Sequence, residues 1–168
     1  MSFDLSFRPT LDGIVSAMSE KGYRIFNTPS KPFNLNLVGV RTRTRVPNRF
    51  DDWLTVFYNS HGRWIFDTFP ATTDPGLYYL GEKMGSEEGT AILKEGQYRS
   101  AYEIGLHQGE YRALVQAKPV TVIRDADRDE ELDAGSGKEE TGHFGINIHR
   151  ARPEGERSAK VANWSAGC

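Results

Sequence analysis

Cysteine is nearly absent: one residue, Cys168, in a chain of 168. A lone thiol excludes an intrachain disulfide framework and every zinc site built on paired cysteines, and it leaves that sulfur free for chemistry. Charge of one sign is also missing, since 21 Lys and Arg stand against 23 Asp and Glu for a net of −2. Arg41, Arg43, Arg45 and Arg49 cluster, but no basic face with interleaved aromatics continues from them, which argues against nucleic acid as a partner. No apolar run approaches the ~20 residues that a membrane-spanning helix needs. The segment Met1-Ser2-Phe3-Asp4-Leu5 lacks the basic-then-apolar layout of a secretory signal, so a protein made in the cytoplasm without a membrane span is expected.

What is present reads as mainly β. Leu11, Ile14, Val15 and Met18 fall at i, i+3, i+4 and i+7, which predicts one amphipathic helix over residues 10–21, started at Pro9 and Thr10 and stopped by Gly22. Residues 33–40 alternate apolar and polar side chains as a half-buried strand does. Asp52 to Tyr58 and Arg63 to Phe69 are aromatic and β-branched runs on either side of Asn59-Ser60-His61-Gly62, which predicts a hairpin. Further strands are expected at Leu77–Leu80, Ala91–Leu93, Gln97–Tyr102, Ala113–Gln116, Val120–Arg124 and Phe144–His149, divided by turn signals such as Glu95-Gly96, Gln108-Gly109 and Lys118-Pro119. Residues 125–142 and 150–163 are polar and read as loops. Many short strands and one helix imply a β-sandwich, with residues 1–30 as an N-terminal helical extension and 31–168 as one domain.

The chemistry concentrates at the C-terminal end. His149 closes the run Gly145-Ile146-Asn147-Ile148-His149, and Ser165-Ala166-Gly167-Cys168 comes after it at a gap of nineteen positions from histidine to cysteine. A free thiol is only a few per cent ionised near neutral pH and needs a base, which a histidine supplies. Gly167 allows a sharp turn, and the amide N–H groups of Gly167 and Cys168 suit an oxyanion hole. On an extended backbone, His149 shares a face with Asn147, opposite Phe144, Ile146 and Ile148.

That order of residues resembles the L,D-transpeptidase catalytic domain, the YkuD-like family, whose signature is a histidine, somewhat under two dozen residues, and then Ser/Thr-His-Gly-Cys. Ala71-Thr72-Thr73-Asp74-Pro75-Gly76-Leu77-Tyr78 is similar to the family's Thr-Pro-x-Gly-x-Phe/Tyr segment, which leads into a core strand beside the active site. Ala166 stands where the family usually has a second histidine, and Arg150 where a glycine is common. The resemblance implies an L,D-transpeptidase-like β-sandwich in which the Cys168 thiolate attacks a peptidoglycan stem peptide. His149 is then the base, Gly167 part of the oxyanion hole, and Ser165 a partner of the imidazole or of the stem. Asn147, His143, Trp164 and Arg150 become candidate substrate contacts. It implies no cofactor. Family domains continue beyond the cysteine, so a missing C-terminal end is expected.

Three other readings stay open at the level of sequence. His143 and His149 are separated by five residues, which matches neither the i, i+4 helical geometry nor the flanking glutamate of a zinc motif. Residues 125–133 place carboxylates at alternate positions as calcium loops do, but Glu130 occupies the sixth position, where glycine belongs. The alternative from another class is a non-catalytic cell-wall-binding or phage accessory β-sandwich.

Overall fold

The computed structural model describes residues 7–31, 33–43, 47–81, 88–127, 129, 131–132, 135, 137–151 and 161. It divides into two compact units, one of Met1–Thr42 with Asp51–Ala71 and the other of Arg43–Phe50 with Thr72–Cys168. The helix thus shares a unit with the first strands.

In the first unit, α1 (Leu11–Glu20) begins where the Thr10 hydroxyl accepts from Gly13 N at 3.2 Å, satisfying one of the helix's unpaired donors. It ends where Gly22 N donates to Ser19 O and Tyr23 N to Met18 O, the paired bonds of a Schellman stop. Strands β1 (Asn36–Val40), β2 (Asp52–Ser60) and β3 (Arg63–Ala71) form an antiparallel meander. Along β2 the residues Trp53, Thr55, Phe57 and Asn59 are buried, the two-residue period of a strand with one covered face. Ile14, Met18 and Phe57 form the core, with Val38, Val40, Trp64 and Phe66 against it. β1 starts later than the alternation at 33–40 implies because Phe33 has φ 66°, a left-handed conformation no strand accommodates. Asn36 then anchors the strand, accepting from Phe26 N and donating to Phe26 O and Phe57 O.

The second unit holds α2 (Leu77–Gly81) and the strands β4 (Thr90–Leu93), β5 (Tyr102–His107), β6 (Tyr111–Gln116), β7 (Val120–Asp125) and β8 (Glu139–Gly142). β4, β7 and β8 make one antiparallel sheet with β7 central, and β5 and β6 make a hairpin. Ala101, Val120, Val122 and Ile146 form its main core, while Leu80, Ile92 and Leu132 form a smaller one. Ile104 and Leu106 of β5 remain 68% and 57% exposed.

The structure corrects four expectations. Leu77–Leu80 is helical: Tyr79 N donates to Gly76 O, and the turn buries Leu80 against Ile92 and Leu132. A four-residue apolar run carries no period long enough to separate strand from helix, and burial of Leu80 decided it. Residues 139–142, within the span expected to be a loop, are strand β8. This strand is polar and is held by cross-strand partners: Thr121 Oγ1 with Thr141 Oγ1 at 2.8 Å, Arg124 Nε to Glu140 Oε2 at 2.8 Å, and the Lys94–Glu139 ion pair. Gln97–Tyr102 contributes only Tyr102 to a strand. Ser100 at φ 54° turns the chain first, and β5 runs on to His107. Phe144–His149 forms no regular strand; its one ladder contact is the Leu114–Ile148 bridge to β6.

Candidate functional site

Residues 142–149 run beside β6, but two side-chain amides take the place of most of the ladder. Gly145 at φ 72° breaks the extended backbone. Around that break, Gln116 Oε1 accepts from Phe144 N (3.0 Å) and Ile146 N (3.2 Å), and its Nε2 donates to Gly142 O (2.8 Å) and Lys118 O (2.9 Å). Two N–H donors face one atom of the amide and two carbonyls the other, so only one orientation satisfies all four. The Gln116 backbone N–H donates in turn to Asn147 Oδ1 at 2.9 Å.

That bond orients the neighbouring amide. With Oδ1 engaged by a donor, Asn147 presents its Nδ2, which can only donate, to His107 Nδ1 at 3.2 Å. His107 therefore accepts at Nδ1 and carries its proton on Nε2. The His149 ring stacks on His107, centroids 4.0 Å apart and planes 11° from parallel. His149 Nδ1 lies 3.0 Å from Arg150 O and 3.1 Å from Tyr111 Oη. A carbonyl only accepts, so the proton of neutral His149 sits on Nδ1 and Nε2 keeps the lone pair. Tyr111 donates to the same Arg150 carbonyl at 3.3 Å, and the Arg150 guanidinium covers the Tyr111 ring at 4.4 Å.

The β5–β6 hairpin builds the platform under these rings. Gln108 and Gly109 both have positive φ, and the register pairs His107 with Tyr111 across the turn, rings 5.4 Å apart. Burial pushes the His107 imidazole below its ordinary range, charge on His149 pushes the same way, and Glu110 opposes both. Burial raises the Tyr111 phenol above its usual range, against the Arg150 guanidinium and with Glu110.

The cluster thus brings together His149, Asn147 and Arg150 of the expected residues. His143 is exposed and takes no part in the contacts described. Ser165, Gly167, Cys168 and Trp164 lie outside the described residues, whereas Val161, just before them, is fully buried. His107 and Tyr111 escaped the sequence reading, although the Gln108-Gly109 turn signal between them was the means to find the pair. In the acidic segment, Asp127 and Asp129 carboxylates accept from the backbone two residues on. Among the described residues no three His, Cys, Asp or Glu side chains group as metal ligands would, and no helix is long and apolar enough to cross a membrane. No family model, curated protein or solved structure matches this chain.

Proposed function

We propose that this protein performs acyl transfer on peptidoglycan stem peptides, with Cys168 as nucleophile and His149 as its base, in the manner of the L,D-transpeptidase family it resembles. The observation that supports this most is the state of His149. Its Nδ1–H is held by a backbone carbonyl, which leaves Nε2 as the one ring nitrogen able to take a thiol proton. In this reading the antiparallel strands are those of the family's β-sandwich, and the protein acts at the cell envelope.

The reaction is built from those roles. His149 takes the Cys168 proton, and the thiolate adds to the carbonyl of an L-residue followed by a D-residue. The tetrahedral adduct collapses, the C–N bond breaks, and the leaving D-residue amine takes the proton back from the imidazolium. An amine that attacks the thioester yields a cross-link; water yields the shortened stem.

One finding favours the alternative, a wall-binding protein without turnover. The segment Asp74-Pro75-Gly76 enters a helix, not the strand that the family's motif leads into. Muropeptide mass spectrometry separates the two. Release of D-alanine from tetrapeptide stems, lost in Cys168→Ala and in His149→Ala, is expected. Unchanged stems, or full activity in Cys168→Ala, would reject the enzyme and leave the binding protein.

A further inference from the structure

The geometry points to His107 as a positioning residue for His149, a neutral imidazole held in one tautomer by Asn147 on whose face the base rests. This role deepens the acyl-transfer reading and rests on it only for the identity of the reaction. Each step comes from a group with a single hydrogen-bonding capability. The Gln116 N–H can only donate, so Asn147 turns its Nδ2 outward, and that atom can only donate to His107 Nδ1.

Protonation of His107 is opposed twice over. It would set a new N–H against the Asn147 NH2 group, and it would place a second positive charge against His149 at a ring separation of 4.0 Å. The charged and titratable groups that face His107 are His149 on the 142–150 segment, Tyr111 on β6 and Glu110 in the turn. Glu110 alone favours the cation, and burial outweighs it. His107 therefore presents a neutral ring face to His149. His107 thus keeps the His149 ring in one plane before and after proton transfer, without touching the substrate.

The test uses the full chain and two replacements. In nitrogen-15 spectra near pH 7.5, His107 is expected as the Nε2–H tautomer and His149 as the Nδ1–H tautomer, and Asn147→Ala should release His107 into a mixture of both. The rate of Cys168 alkylation by iodoacetamide is then measured against pH. His107→Phe, which keeps a flat ring but takes no proton, should retain the profile within about threefold, whereas His107→Ala should slow the neutral-pH rate by roughly tenfold. An unchanged rate in His107→Ala, or equal losses in both variants with the circular dichroism spectrum intact, overturns the assignment. So does the Nδ1–H tautomer at His107. If wild-type Cys168 reacts no faster than free cysteine, the acyl-transfer reading fails, while the tautomers still decide the role of His107.

Discussion

Replacing Gln116 with methionine keeps the length of the side chain and removes all four of its hydrogen bonds. Each such bond contributes about 1 kcal/mol net to stability, which would make roughly 4 kcal/mol. The Lys118 residue is exposed and its carbonyl recovers a water, so that share is mostly restored. The Ile146 N–H lies in a residue that is only 3% exposed, and stranding it costs about 1–3 kcal/mol. A loss of about 2–4 kcal/mol is expected for Gln116→Met in urea unfolding, together with faster hydrogen exchange at the amides of Phe144 and Ile146. Gln116→Glu splits the network. Its carboxylate still accepts from those two amides but cannot donate to Gly142 O and Lys118 O, so the variant should lose stability while the two amides stay protected. If Gln116→Met costs less than about 0.5 kcal/mol and leaves both exchange rates unchanged, the side-chain bracket does not hold this segment.

Two further outcomes concern the same hairpin. A β-carbon on Gly105 would lie 2.5 Å from Val115 Cγ2, so Gly105→Ala should cost about 1–3 kcal/mol in chemical denaturation, with partial recovery when Val115→Ala is added. The folded state holds the His107 imidazole below its ordinary range, so the unfolded chain binds the extra proton first as acid is added. The His107 contribution is therefore complete above the ordinary histidine pKa of about 6.5 and is lost as pH falls below it; titrating the unfolding midpoint in wild type and in His107→Phe should show a smaller acid loss in the variant.

Elements with a long period or a terminal signal were legible in the sequence. The helix was marked by four residues on one stripe and by Thr10 and Gly22 at its ends, and β2 and β3 by aromatic and β-branched runs on both sides of a turn. β8 was not, because its sequence Glu139-Glu140-Thr141-Gly142 has no apolar residue to carry a period. What selects it is the match of charge and hydroxyl groups across to β7, with Lys94 just past the end of β4 pairing Glu139, a property of the sheet and not of the segment. The 144–149 segment was legible in place but not in form. Its alternation put His149 and Asn147 on one face, and both side chains meet His107, yet the positive φ of Gly145 and the reach of Gln116 are invisible to a two-residue period. His107 and Tyr111 were missed because neither sits in a motif, and only closure of a turn makes them neighbours.

β5 bears on how this protein behaves when concentrated. Among the described strands it pairs with β6 alone. Ile104 and Leu106 stand exposed along it, and Glu103 is its one carboxylate. Natural sheets guard such edges with charge, proline or a bulge, and β3 has Asp67 and Pro70 where β5 has only Glu103. A lysine at position 104 or 106 would place charge on this exposed apolar stretch and is expected to lower association between copies at high concentration.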